Sequence, residues 1–130
     1  MKIAVCDDSA QMREQVIDQI KNSEIMTENL EIIQFCAGKQ ILEQYAAGTR
    51  SEMVFMDGEM GEPNGIETVE LELAKYDFYR VHQGYLVNLN HIEAILGLDI
   101  IMDNGDKVQI PVHKRTELIK TYTAYVKRVL

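Results

Sequence analysis

Lys2-Ile3-Ala4-Val5-Cys6-Asp7-Asp8-Ser9 and Met53-Val54-Phe55-Met56-Asp57 are the stretches that decide the fold. Each is a short apolar run that ends abruptly in acid. A strand covered on both faces reads as a continuous apolar run, and the carboxyl end of such a strand is where a parallel sheet opens to solvent. If the two runs are neighbouring parallel strands, Asp7, Asp8 and Asp57 meet at one end of the sheet, where α/β folds place their sites. Close carboxylates repel one another, and a hard divalent cation relieves the repulsion; Mg²⁺ favours a few carboxylates together with water and phosphate oxygens. A carboxylate left free beside the metal is a candidate nucleophile toward a phosphoryl group. The plainer roles are Asp8 or Ser9 capping the next helix and Asp57 closing a strand into a polar loop.

Outward from these runs, the spacing of Met12, Val16, Ile17 and Ile20 predicts a helix over residues 10–22. Residues 29–36 read as a second strand, 38–47 as a second helix and 52–56 as the third strand. This β-α-β-α-β order, with right-handed crossovers, predicts a parallel sheet of strand order 2-1-3. Ile66, Val69, Leu73 and Tyr76 then make the stripe of a third helix, which no Pro, Gly or Ser linker interrupts. Beyond it the pattern turns to strands: 78–81, 85–89, 92–96, and a hairpin of 99–102 with 108–112. Asp103-Asn104-Gly105-Asp106 is a strong hairpin turn, because Asn and Gly accept positive φ. Leu118, Tyr122, Tyr125 and Val129 recur at helical spacing in a terminal helix over 114–129. The fold class expected is an α/β N-terminal half followed by a mostly β C-terminal half with a terminal helix.

The chain has 130 residues, a hydrophobic content of 46% and a net charge of −8. That charge alone argues against a nucleic-acid partner, but its distribution does not. Residues 1–67 carry 13 acids against 5 bases, whereas residues 68–130 carry 8 of each and all 3 histidines. No apolar run is long enough to span a membrane and no cationic leader precedes one, which places the expected protein in the cytoplasm. Cys6 and Cys36 sit at the ends of strand-like runs and read as reduced core thiols, with a disulfide or redox role the lesser alternative. Nothing resembles a Ser-His-Asp set, a metal-spaced Cys/His cluster or a phosphate-cradling glycine loop, so a conventional enzyme is not expected.

Residues 2–9, with Val54-Phe55-Met56-Asp57-Gly58-Glu59-Met60-Gly61-Glu62-Pro63-Asn64-Gly65-Ile66-Glu67, resemble the N-terminal half of a response-regulator receiver domain. The resemblance implies that Asp7 and Asp8 bind Mg²⁺ and that Asp57 accepts a phosphoryl group from a sensor histidine kinase. It also implies that Asp57 and a backbone carbonyl of Gly58 or Glu59 complete the metal site. The sequence departs from that family in two ways. Gly61 stands where proline is usual, and the later strands that carry a Ser or Thr and a Lys toward the phosphoryl group have no counterpart.

The stretch Phe78-Tyr79-Arg80-Val81-His82-Gln83-Gly84-Tyr85-Leu86-Val87-Asn88-Leu89-Asn90-His91-Ile92 resembles the C-terminal half of a LytTR DNA-binding domain. The two resemblances divide the chain into a partial receiver, 1–70, and a partial LytTR domain, 71–130, with the middle of such a regulator missing. In that family loops enter successive major grooves, which implies base contacts from Gln83 and from Lys114, with Arg115 adjacent. A Gln amide pairs with adenine and a Lys donates to guanine O6 or N7. Arg80, Lys107 and Arg115 are the candidates for phosphate contacts, which position without reading. Against these stand structural roles: His82 packing, Asn88 and Asn90 shaping a turn, and Lys114-Arg115 forming an ordinary first helical turn. The function expected is a DNA-binding transcriptional response regulator of a two-component system, controlled by phosphorylation of Asp57. The alternative is a shortened regulator that no longer binds DNA productively and serves as a dimerising or phosphoryl-accepting interaction module. The third strand and strands 78–81 and 92–96 are expected to have lost sheet partners, so a homodimer through the C-terminal half, or else a marginally stable, aggregation-prone monomer, is expected as well.

Overall fold

The computed structural model describes residues 1–22, 30–48, 51–56 and 65–130. Its elements in chain order are β1 (Lys2–Cys6), α1 (Ala10–Lys21), β2 (Glu31–Phe35), α2 (Gly38–Ala46), β3 (Met53–Met56) and α3 (Gly65–Ala74). There follow β4 (Phe78–His82), β5 (Tyr85–Asn88), β6 (Ile92–Leu96), β7 (Asp99–Met102), β8 (Lys107–Gln109) and α4 (Arg115–Val129).

β1 pairs in parallel with β2 on one side and β3 on the other. The sheet does not stop there. β5 pairs antiparallel with β3, placing Met53 opposite Val87, Val54 opposite Leu86 and Phe55 opposite Tyr85, and β4 pairs with β5. The result is one mixed five-stranded sheet of order β2-β1-β3-β5-β4. The expectation of an unpartnered β3 is therefore corrected: the strand is central, and its open side is filled by a strand from beyond residue 71. The strands expected to have lost partners also find them, β4 on β5 and β6 on β7. β6, β7 and β8 make a separate antiparallel sheet.

Alternation along the strands explains the layers. Ile3, Val5, Met53 and Val87 face one way, onto Ile17 and Ile20 of α1, the second sheet through Ile100 and Met102, and Leu118 of α4. Ala4, Cys6, Val54, Met56 and Leu86 face the other way, onto Ile41 and Tyr45 of α2 and Val69 and Leu73 of α3. Central strands buried on both faces need apolar residues throughout, which is why β1 and β3 read as unbroken runs. Gly38 is required where α2 meets α3, since a Cβ there would lie 2.5 Å from Val69 Cγ2. The buried hydroxyl of Ser51 is satisfied by Tyr45 Oη at 2.6 Å.

Two turns fix the C-terminal part. Asp77 adopts φ 67°, a left-handed conformation that Asp tolerates better than most residues, and ends α3 as the chain enters β4. In the 103–106 turn Gly105 has φ 92° and Met102 N–H donates to Asp106 C=O at 2.8 Å. Leu118, Tyr122 and Tyr125 pack against the core as their spacing implies, but Val129 is 56% exposed and takes no part.

Because Leu86 is fully buried between β3 and β4, Leu86→Ala is expected to cost about 2–5 kcal/mol. Urea unfolding followed by NMR at α1 and at α4 should show coincident transitions in both proteins; separate transitions would mean that the two parts of the sheet melt independently.

Candidate nucleic-acid interface and acidic site

Asp7 leaves β1 with its N–H donating to Phe35 C=O (3.1 Å), which holds it beside the end of β2. Its Oδ1 accepts the N–H of Ser9 at 2.9 Å, and its carbonyl accepts from Arg13 Nη1 at 2.6 Å. Ser9 caps α1, its Oγ accepting from Met12 N–H at 3.3 Å. The capping role thus belongs to Ser9, and Asp8 is left exposed. Cys6 and Met56 are register partners on adjacent parallel strands, so β1 and β3 end level with each other. Asp57, next in sequence after Met56, lies outside the described residues, as do Gly58 and Glu59. Among the described residues no group of three or more His, Cys, Asp or Glu side chains could hold a metal. Asp7 and Asp8 offer hard oxygen donors: one Asp7 oxygen is engaged by Ser9, and Asp8 is open to solvent. A donor set of that kind suits Mg²⁺ with its retained waters.

Gln83 is exposed at the turn between β4 and β5. The turn is shaped by His82, whose Nδ1 accepts Gly84 N–H at 3.0 Å and whose ring stacks on Tyr85 at 4.8 Å and 8°. Tyr85 in turn donates from its hydroxyl to Gln109 C=O at 2.8 Å, fastening the hairpin to the second sheet. His82 therefore positions the turn. Asn88 does the same for the following turn, accepting Asn90 N–H at 2.9 Å. The hairpin hangs on the acidic end of the sheet: Met56 N–H donates to Gly84 C=O at 2.9 Å. Asp7, Met12, Phe55, Gln83 and Tyr85 line one cleft of about 380 Å³.

The basic residues divide between inward and outward roles. Arg80, expected as a phosphate contact, turns inward: its Nε meets Glu70 at 3.0 Å, and its Nη1 donates to the carbonyls of Gln83 (2.7 Å) and Met56 (3.2 Å). Its Nη2 is buried and meets no hydrogen-bond partner among the described residues. Arg115 donates from Nε to Gly97 C=O at 2.7 Å, tying the start of α4 to the β6–β7 turn. Lys114 sits 5.9 Å over the Tyr79 ring and 3.8 Å from Glu117. Lys107 is exposed on β8. Arg80 links the candidates: it holds the Gln83 turn and lines, with Lys114, Tyr79 and Glu117, a second groove of about 450 Å³. Lys107 and Arg115 line neither cleft.

Sequence reasoning missed Arg13 at the acidic end, the carboxylates Glu70 and Glu117 facing the cations, and the Tyr85 anchor. Only the helical offset between Lys114 and Glu117 carried a signal for any of these. Burial, then the charge of Asp7, pushes the Cys6 thiol from its ordinary 9.0 up to about 12. The neutral thiol is favoured in the fold, so its contribution to stability is complete below about 9 and is lost as pH rises toward 12. Cys36, expected in the core, is instead exposed because it stands just past the end of β2; iodoacetamide at about pH 8 should alkylate it and spare Cys6 until the chain unfolds. Equal labelling of both thiols in the native protein would contradict the burial of Cys6.

The family model described as LytTr DNA-binding domain matches residues 23–122 of the chain, a stretch that includes the β4–β5 hairpin and the start of α4. No match was found among curated proteins or among solved structures. No helix among the described residues is long and apolar enough to cross a membrane.

Proposed function

Since this chain belongs to the LytTR family of DNA-binding domains, we propose that it is a transcriptional regulator that reads DNA through Gln83 and Lys114 under control of the acidic site. Gln83 is exposed on a braced turn and has the donor and acceptor needed to pair with adenine. Lys114 opens α4 and supplies a flexible cation for guanine or a phosphate, with Arg115 adjacent. Lys107 is free to meet a phosphate, whereas Arg80 serves chiefly to hold the Gln83 turn in place.

The observation that carries the regulatory part is the bond from Met56 N–H to Gly84 C=O. It suspends the reading turn from the residue that precedes Asp57. In this reading a sensor histidine kinase phosphorylates Asp57, and Asp7 and Asp8 hold Mg²⁺, which neutralises charge at that end of the sheet. Uncompensated carboxylates beside Gln83 repel DNA phosphates, and charges within a Debye length of about 8–10 Å are felt. A cation at Asp7 and Asp8 therefore favours the approach of DNA as well as of a phosphoryl group. The competing reading, an interaction module without productive DNA binding, is favoured by one feature: Arg80 and Lys114 both face carboxylates, Glu70 and Glu117.

For DNA, Gln83→Ala and Lys114→Ala should each lose about 1–3 kcal/mol of discrimination between sites, while Lys107→Ala should weaken all sequences alike and lower the salt slope. Gel shifts over a salt series measure both; no salt-dependent binding by the unaltered chain would leave the interaction module as the reading. For the acidic site, millimolar Mg²⁺ should shift backbone NMR signals at Asp7 to Ser9 and at Gln83 to Gly84, and the Asp7→Asn, Asp8→Asn double variant should abolish both effects. Shifts spread evenly over the chain, or none, would remove the metal from the proposal.

A further inference from the structure

β4 is the last strand of the five-stranded sheet, and among the described residues no strand lies on its other side. Its ladder with β5 determines which backbone groups face outward. Asp77 C=O accepts Leu89 N–H at 2.8 Å, and Tyr79 opposes Val87, so Asp77 and Tyr79 turn their peptide groups toward β5. Alternate residues of an antiparallel strand point these groups to opposite sides. Phe78 and Arg80 therefore direct theirs away from the sheet, where no backbone partner meets them among the described residues. A groove of about 450 Å³ runs along that side, walled by Glu70, Leu71 and Ala74 of α3 and by Lys114 and Glu117 of α4. Leu71 is 69% exposed on its rim.

We propose that this edge docks a second copy of the chain, β4 pairing antiparallel with β4 of the copy about a two-fold axis at Tyr79. In that register Phe78 exchanges backbone hydrogen bonds with Arg80 of the copy, Arg80 does so with Phe78 of the copy, and the two Tyr79 residues form the closely spaced pair between them. The contact is isologous, so one patch must complement its own image. This one can: Arg80 and Lys114 on its walls are each paired with a carboxylate of their own chain, Glu70 and Glu117, so the patch carries no net charge to repel its image. Strand and walls come from the electrically neutral residues 68–130, whereas the acidic part reaches the opposite edge of the sheet at β2. The pairing keeps the two acidic parts apart and covers Leu71. The register shift between Arg80 and His82 confines the open segment to Phe78–Arg80, which favours a closed, reversible pair over continued edge growth. None of this depends on the DNA reading.

Sedimentation of the full chain without DNA, over a micromolar concentration series, is paired with amide hydrogen exchange. The result expected is a reversible monomer–dimer equilibrium in which exchange at the Phe78 and Arg80 amides slows as concentration rises. Leu71→Lys should weaken association by about tenfold or more, with the melting temperature unchanged at dilutions where both proteins are monomeric. A monomer up to the highest soluble concentration overturns the proposal. So does association that leaves those two amides unprotected, or a Leu71→Lys variant that associates as strongly as the unaltered chain.

Discussion

The antiparallel pairing of β3 with β5 is the constraint on which the rest of the molecule depends. β3 is fully apolar and is covered by helices on one face and by α1 and the second sheet on the other. A strand so placed needs partners on both edges, because an unpaired backbone group in such surroundings costs about as much as a lost hydrogen bond. β1 satisfies one edge and β5 the other, with Met56 N–H on Gly84 C=O and Asn88 N–H on Glu52 C=O closing the two ends of the ladder. The register also decides which β5 residues face which layer: Leu86 goes to α2 and α3, and Val87 to the second sheet. A slip of one residue would exchange them.

The same pairing brings unlike chemistry together. Acidic residues gather where parallel strands end, and a turn that projects a polar amide follows from a hairpin; neither implies the other. Joining β5 to β3 puts both at one end of one sheet. Arg80 is the side chain that spans the join, since its guanidinium bonds β3 and the hairpin turn together while Glu70 of α3 balances its charge. Charge of this sort, half-buried and engaged by several acceptors, braces the two elements it joins.

Much of this was legible in the residues, and the limits have physical causes. Apolar runs and helical stripes located the strands and α-helices of the described residues to within a few residues, because burial acts on side-chain periodicity, whereas the short 3₁₀ helices Leu89–His91 and Val112–Lys114 carry no such stripe and read partly as strand. The Asp103-Asn104-Gly105-Asp106 turn was legible for the same local reason. The pairing of β3 with β5 was not, since nothing in a continuous apolar run states which strand will lie beside it. Met12 and Val129 fit their helical stripes yet stay exposed, at 43% and 56%, because the stripes extend past the surface that covers them. At the candidate site, Gln83 is exposed in its turn, Lys107 is exposed on β8, and Lys114 is half-buried at the opening of α4. Arg80 is engaged inward because Gln83 of its own hairpin, Glu70 of α3 and Met56 of β3 converge on it, the last two from 10 and 24 residues away in sequence.

The last helix reaches back to the joint between α3 and β4. Tyr122 donates to Ile92 C=O at 2.9 Å, Tyr125 bonds Asn90, and Arg128 pairs with Asp77, the left-handed residue at the joint. These three ties act at a distance from the ladders of the sheet, so the joint can loosen without unpairing a strand. Local opening there would free α4 and the turn at Asp77 together while β3, β5 and β4 stay paired, which makes the joint a separate, weaker unit of opening within one sheet.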